Sequence, residues 1–154
     1  MRASITLATD IGSLTVTELD GVIAALDWGA HAAAPSRTPL LAEAARQIKA
    51  YLARRLRSFD LPMAPTGSPF QRRVFAAMRE IPYGTVMSYG DLARVVDSAP
   101  RAIGGACSAN PLPILVPCHR VVASGRKLGG YSGYGGLGTK RFLLKLEGAL
   151  TELS

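Results

Sequence analysis

Three helix signatures follow one another in residues 68–110, SPFQRRVFAAMREIPYGTVMSYGDLARVVDSAPRAIGGACSAN, and they decide the fold of the second half of the chain. The first opens with Ser68, Pro69 and Gln71, which form a capping box with proline at the first helical position. Pro82 ends this predicted helix. Its apolar stripe consists of Phe70, Val74, Met78 and Ile81.

Two shorter helices are predicted after it. Ser88 and Asp91 cap the first of them, and Ser98-Ala99-Pro100 stops it. The second covers 101–109 and ends at Asn110. Two short helices joined by a tight turn predict a helix-turn-helix. The second helix is rich in small residues, which allow another surface to come close to its backbone. That surface is either DNA or a neighbouring helix, and the pattern leaves both open.

The first part of the chain predicts a small α/β unit. Alternating residues in 4–9 and 13–19, followed by an apolar run at 22–28, indicate three strands in a meander. Asp20-Gly21 favours a hairpin turn between the last two. From Pro39 to about Phe59 the pattern is helical, with a stripe at every fourth position. That stripe is Leu40, Ala44, Ile48, Leu52 and Leu56.

The proline-rich segment 60–69 predicts a linker, and we therefore expect a structural subdomain over 1–62 and a second domain over 66–150. The chain closes with a predicted helix at 139–150, for which Gly148 is a C-cap candidate. Charge is unevenly placed. Residues 1–65 carry a net charge of +1 and residues 66–154 carry +6. A negatively charged partner, of which nucleic acid is the commonest, would therefore meet the second half.

Composition excludes several classes of protein. A chain of 154 residues with 48% hydrophobic and 19% charged residues is typical of a globular protein rather than a disordered one. No apolar run reaches the length of a membrane span, and the N-terminus has no signal-peptide core. Two cysteines cannot build a disulfide scaffold or a zinc finger, and His31 stands alone. We therefore expect a cytoplasmic protein without metal or cofactor.

The chemically informative residues are Pro117-Cys118-His119-Arg120. A thiol becomes a strong nucleophile when a base or a positive field favours its thiolate. A carboxylate such as Glu147 can orient the imidazole, as in a catalytic triad. For a lone Cys-His pair, a buried cysteine that only packs is the more common case. Cys107 has no neighbouring base and is interpreted as a packing residue.

Residues 110–121, NPLPILVPCHRV, resemble the active-site signature of the O6-alkylguanine-DNA alkyltransferases, the methylated-DNA–protein-cysteine methyltransferases. The resemblance extends to FQRRVFAAMREIPYGTVMSYGDLA, RAIGGACSAN, GGYSGY and KRFLLKLEG, and so covers about 66–149. It implies an α/β N-terminal subdomain, a three-stranded antiparallel meander plus helix, followed by a mostly α domain with a winged helix-turn-helix-like fold. It also implies irreversible, single-turnover transfer of the alkyl group to the protein's own cysteine.

The family's functional residues carry over to matching positions of this chain. The resemblance implies that Cys118 is the acceptor, that His119 deprotonates it through a water, and that Glu147 holds His119. Tyr89 would protonate the leaving base, and Asn110 would brace the turn beneath the active-site strand. Substrate contacts are implied for Val121, Tyr131 and Ser132. DNA contacts are implied for Arg101, which would fill the gap left by the flipped base, and for Ala102, Gly104, Gly105 and Ser88.

The partner implied is duplex DNA containing O6-alkylguanine, bound by a monomer, with cooperative binding along DNA left open. Two departures from the family pattern stand out: the turn before Arg101 is two residues shorter, and two extra residues lie around 133–136. Two other functions were weighed. A non-enzymatic sensor of alkylated DNA, like the alkyltransferase-like proteins, would lack the acceptor cysteine. A Cys-His hydrolase would need an oxyanion hole, which nothing in the sequence indicates.

Overall fold

The fold was analysed in a computed structural model, and the chain forms two compact units, Met1–Thr66 and Gly67–Ser154. Each is described by itself. The structure describes residues 1–32, 37–124, 127–129 and 136–149. None of the helices in these ranges is long and apolar enough to cross a membrane.

The first unit is a three-stranded antiparallel sheet with a helix, as predicted. The sheet has the order β1-β2-β3, so that each strand pairs with the next along the chain. Asp20 and Gly21 both have positive φ, 50° and 84°, which is the backbone of the type I′ turn that Asp-Gly favours. The elements are β1 (Arg2–Thr9), β2 (Gly12–Leu19), β3 (Val22–Trp28) and α1 (Pro39–Leu52).

Helix α1 ends seven residues before the predicted Phe59, so that boundary was wrong. Arg54 adopts the left-handed conformation with φ 62°, and the amide of Arg55 donates to the Ala50 carbonyl at 2.8 Å. These are the features of a Schellman motif, which ends the helix although Arg54 is not glycine. Of the predicted stripe, Ala44 and Ile48 are buried, whereas Leu40 and Leu52 are only half-buried. The side chains that α1 buries are Leu41, Ala44, Ala45, Gln47, Ile48 and Tyr51.

The segment predicted as a linker is partly bound to the first unit. The Ile23 amide donates to the Pro62 carbonyl at 2.8 Å, and the Ala64 amide donates to the Ile23 carbonyl at 3.2 Å. Gln47 of α1 also accepts from the Asp60 amide at 2.9 Å. Residues 60–64 therefore line the edge of β3, and the chain leaves the unit only after them.

The second unit contains four helices and a short parallel pair of strands in its described part. Both predicted caps are present: the Gln71 amide donates to Ser68 Oγ at 3.1 Å, and the Asp91 amide donates to Ser88 Oγ at 2.9 Å. The elements are α2 (Pro69–Arg79), β4 (Met87–Ser88), α3 (Tyr89–Val95), α4 (Pro100–Ser108), a 3-10 turn (Cys118–Arg120), β5 (Val121–Val122) and α5 (Leu137–Leu146).

The short turn between α3 and α4 is closed by local backbone geometry. Asp97 adopts φ 56°, and the Ser98 amide donates back to the Ala93 carbonyl at 2.8 Å, which again forms a Schellman motif. From α2, the Arg73 guanidinium donates to the Val96 carbonyl at the end of α3. This turn joins the two helices of the helix-turn-helix.

The core of the second unit places the site. Helices α2 and α5 contact the 3-10 turn, α3 contacts β5, and every residue of the segment 112–122 is buried. Cys118 lies on the 3-10 turn, and the strand β5 follows directly after it, at Val121. The closing helix spans Leu137–Leu146 rather than 139–150. Gly148 has φ 78° just beyond it, as expected for its predicted C-cap position.

Candidate active site

Asn110 organises the chain that leads to the cysteine. Its Nδ2 donates to the Val116 carbonyl at 2.9 Å, and its Oδ1 accepts from the Leu112 amide at 3.0 Å. One amide side chain thus ties both ends of the segment 112–116, in which Ile114 has the positive φ of 73°. These bonds satisfy backbone groups that are buried away from water. The contacts fit the bracing expected of Asn110.

Cys118 is buried just beyond this segment, with 7% of its surface exposed. Burial raises the pKa of its thiol, while a hydrogen bond with the Asn110 side chain and the charge of Lys140 act in the opposite direction. Because burial is the largest cause, the resting sulfur is a protonated thiol. A nucleophilic Cys118 therefore needs a base to remove its proton.

His119 and Glu147 form a fully buried pair. His119 Nε2 lies 2.8 Å from Glu147 Oε2, and both side chains have 0% exposure. Burial lowers the pKa of the imidazole, and the charges of Arg120 and Lys140 lower it further, whereas Glu147 raises it. The net direction is downward, so the imidazole is neutral and able to accept a proton.

Arg120 extends this pair into a cluster of three. Its Nε donates to Glu147 Oε1 and its Nη2 to Glu147 Oε2, each at 2.9 Å. Its Nη1 donates to the Ile81 carbonyl at 2.8 Å. The guanidinium two residues from the thiol is therefore directed to the carboxylate, in the two-point geometry that Arg and carboxylates favour.

Lys140 is a member of the site that sequence reasoning missed. It has 0% exposure, and its Nζ donates to the Val121 carbonyl at 2.7 Å and lies 5.8 Å from the Tyr89 ring centre. Burial lowers its pKa to about 8, against the charges of Cys118 and Cys107. Helical spacing could have indicated this position. Lys140 lies three residues before Leu143 and seven before Glu147, so all three fall on one face of the helix, and all three are buried.

The Tyr89 ring stands at the start of α3, close to the Gly129 backbone. A Cβ on Gly129 would come within 2.9 Å of Tyr89 Cε2 and 3.3 Å of its hydroxyl, and Gly129 has φ 73°. Only glycine fits this conformation at this distance without displacement. Tyr89, Val121 and Cys118 thus all neighbour Lys140. Tyr131 and Ser132 lie outside the described residues, as do 133–135 of the stretch in which two extra residues are expected.

Helix α4 turns Ile103 and Ala106 into the core and leaves Arg101 and Gly105 exposed. A Cβ built on Gly104 or Gly105 meets nothing within 4 Å in the described part of the chain. Close packing of a neighbouring helix, one of the two explanations for the small residues of α4, therefore does not require these glycines. Ala102 is half-buried, and Ser88 uses its hydroxyl as the cap of α3.

In the described part of the chain, no three His, Cys, Asp or Glu side chains are grouped as ligands for a metal ion. Among the described residues, the structure brings together six of the predicted site residues and adds two more. The predicted ones are Cys118, His119, Glu147, Tyr89, Asn110 and Val121, and the added ones are Arg120 and Lys140.

The fold and the site together define a class: helix-turn-helix proteins that hold a cysteine beside a buried His-Glu pair in the same unit. Two family models identify it further. The 6-O-methylguanine DNA methyltransferase DNA binding domain matches residues 69–149, and the ribonuclease-like domain of 6-O-methylguanine DNA methyltransferase matches residues 4–65. The chain belongs to the 6-O-methylguanine DNA methyltransferase family.

Its relatives agree. The methylated-DNA–protein-cysteine methyltransferase of Mycolicibacterium paratuberculosis is 42% identical over 150 residues, which are 92% of this chain and 90% of the relative. That of Methanosarcina acetivorans is 50% identical over 109 residues, 70% of this chain and 69% of the relative. Among solved structures, Mycobacterium tuberculosis OGT in complex with DNA has a TM-score of 0.84 at 37% identity and covers 97% of this chain and 95% of its own.

Proposed function

We propose that this protein repairs O6-alkylguanine in duplex DNA by transferring the alkyl group to Sγ of its own Cys118, once per molecule. The observation that carries the proposal is the Cys118 thiol, held by Asn110 and followed by the buried His119–Glu147 pair. Family membership supplies the substrate class, since the relatives are named methylated-DNA–protein-cysteine methyltransferases.

The proton of the thiol has to leave before or during attack. His119 uses Nε2 toward Glu147, so Nδ1 is the nitrogen that accepts the proton, through a water. Sulfur then forms a bond to the alkyl carbon as the bond from that carbon to O6 breaks. The electron pair of the broken bond passes to the guanine, which takes a proton from the Tyr89 hydroxyl. Cys118 ends as a thioether, so turnover stops after one event.

The remaining contacts orient the base. The Val121 carbonyl accepts from Lys140, and its second lone pair is available to the exocyclic amine of guanine. Asn110 braces the turn, and Tyr131 and Ser132 complete the pocket, with Ser132 near O6. These assignments follow from the resemblance.

The target base has to be flipped out of the duplex, because its O6 atom cannot be reached inside the base stack. We place α4 in the minor groove, which is only about 6 Å wide and admits a helix with small side chains. The open space beside Gly104 and Gly105 supports this placement. Arg101, exposed at the start of α4, would fill the gap, with Ala102 and Ser88 beside the backbone. Residues 66–150 are thus the DNA-binding and acceptor domain and 1–62 a structural subdomain, in a cytoplasmic monomer.

The decisive experiment is the intact mass of the protein after mixing with duplex DNA that carries one O6-methylguanine. We expect a stoichiometric gain of one methyl group, mapped by peptide analysis to Cys118. Cys107→Ser is the matched control, because it removes the other thiol of the chain and should leave the gain unchanged. Cys118→Ala should abolish transfer but retain binding. Tight binding without a mass gain in the natural chain would contradict transfer and favour the sensor function.

A further inference from the structure

All three guanidinium nitrogens of Arg120 form hydrogen bonds, two of them with Glu147. Two of its nitrogens contact the two carboxylate oxygens at 2.9 Å, and the third contacts the Ile81 carbonyl at 2.8 Å. The side chain is nearly buried and also lies 5.7 Å from the centre of the Tyr83 ring. Arg120 has no role in the proposed transfer so far, although it contacts the same carboxylate as His119 at a similar distance.

Contact with Arg120 determines the ionisation of Glu147. A carboxylate that receives donors on both oxygens from a guanidinium is held in its charged form. A charged carboxylate only accepts hydrogen bonds. His119 Nε2, which lies 2.8 Å from Glu147 Oε2, must therefore carry the hydrogen. The neutral ring then has its lone pair on Nδ1.

The same contact determines the charge of the imidazole. The charged groups acting on His119 are Glu147 and Lys140 from α5 and Arg120 from its own turn. Glu147 alone would favour a protonated ring, because an opposite charge at hydrogen-bond distance stabilises imidazolium. Arg120 already balances that negative charge. A protonated ring would add an uncompensated positive charge in a fully buried place, which is costly.

We propose that Arg120 is a positioning residue that keeps His119 neutral, with its hydrogen on Nε2 and its lone pair on Nδ1. Arg120 acts through Glu147 and does not touch the reacting atoms. This inference rests on the proposed function for its consequence, which is that Nδ1 is ready to take the proton of Cys118. The state of the ring itself can be tested without DNA or alkyl transfer.

The first test is nitrogen-15 NMR of the unreacted, full-length protein labelled at histidine. The chain has two histidines, so the spectrum contains the signals of His119 and of the exposed His31. We expect His119 to show protonated Nε2 and unprotonated Nδ1 from pH 8 down to pH 5.5. A hydrogen on Nδ1, or protonation of the ring at or above the ordinary histidine value of about 6.5, would overturn the proposal. Either outcome is independent of whether Cys118 accepts an alkyl group.

The second test compares Arg120→Gln with Arg120→Lys, each checked for folding by circular dichroism. In Arg120→Gln we expect His119 to titrate at least about one unit higher, so that the transfer rate relative to the natural chain falls as the pH is lowered toward 5.5 and recovers toward pH 8.5. Arg120→Lys retains the positive charge and should keep the ring neutral. An Arg120→Gln variant that loses the same fraction of its transfer rate at every pH would show a merely structural role. If Arg120→Gln fails to fold, the histidine spectra of the natural chain and of Arg120→Lys decide, and a protonated ring in either at pH 7 contradicts the proposal.

Discussion

Cys118 is a nucleophile that its surroundings do not ionise at rest. Burial raises the pKa of the thiol, and the neighbouring Asn110 and Lys140 only moderate that effect. Thiolate is the reactive form, so the site depends on a base that acts when the substrate is present. Such an arrangement protects the sulfur from oxidation or stray alkylation, which follow thiolate character and exposure.

Lys140 is the other unusual residue, because a lysine with 0% exposure is rarely retained without a partner. Its pKa is lowered to about 8, from an unfolded value of about 10.4. Between these values the unfolded chain binds more protons than the folded one, so the contribution of Lys140 to stability rises with pH across this window. Below about pH 8 Lys140 is charged in both the folded and the unfolded chain, and its burial then destabilises the folded protein to the full extent.

This sign gives a prediction for Lys140→Met. The melting temperature of the natural chain minus that of the variant should increase from pH 7 to pH 9.5, measured by calorimetry or circular dichroism. Subtracting the variant cancels the titration of other groups. Lys145→Met on the exposed side of the same helix is the matched control, and its difference should stay flat. A flat difference for Lys140→Met would show that Lys140 is not desolvated in the folded protein.

At the level of elements, the turn between α3 and α4 determines where α4 begins and therefore where Arg101 lies. Asp97 in the left-handed conformation, together with Arg73 on the Val96 carbonyl, closes the turn in the least number of residues. Helix α4 can therefore begin at Pro100, with Arg101 exposed in its first turn.

Arg101→Ala should separate base extrusion from chemistry. We expect the repair rate on duplex DNA to fall at least about tenfold, equivalent to about 1.4 kcal/mol, because the gap in the duplex is no longer filled. Reaction with free O6-benzylguanine, which needs no extrusion, should change less than about twofold. Arg55→Ala, an exposed charge in the first unit, controls for the loss of one positive charge. Equal losses on both substrates would exclude Arg101 as the flipping residue.

For the molecule as a whole, charge distinguishes the two units. Nearly all of the net charge of +7 belongs to residues 66–154. Phosphate neutralisation releases counterions, so affinity for duplex DNA should fall steeply with salt. Contacts to about four phosphates correspond to roughly a hundredfold loss between 50 and 200 mM salt.

The measurement uses the Cys118→Ala variant, so that binding is observed without reaction, and follows its affinity for lesion-bearing duplex by fluorescence anisotropy. A logarithmic plot of affinity against salt should be linear with a slope of several units. A flat plot would contradict binding through the basic second unit. Adding a neutral osmolyte at a constant 50 mM salt, in place of further sodium chloride, is the control and should have little effect on affinity.

Local sequence signals predicted much of the fold. The Asp20-Gly21 turn, the Ser68 capping box, the Ser88 cap and Gly148 are short-range features, in which a few neighbouring residues satisfy one another's backbone groups. They are therefore present in the structure as predicted. The end of α1 at Leu52 was missed because Arg54 adopts the left-handed conformation that sequence patterns assign to glycine or asparagine.

The sequence by itself determined the family, the acceptor motif and the presence of His119 and Glu147, because these residue types occur at characteristic spacings. Only the tertiary structure decided what surrounds them. The positions of Arg120 and Lys140 follow from burial, because each buried charged group needs a partner. Arg120 finds Glu147, at the C-cap of α5, and the Ile81 carbonyl, and Lys140 finds the Val121 carbonyl. Hydrogen bonds between such distant segments are determined by packing, which no local pattern in the chain records.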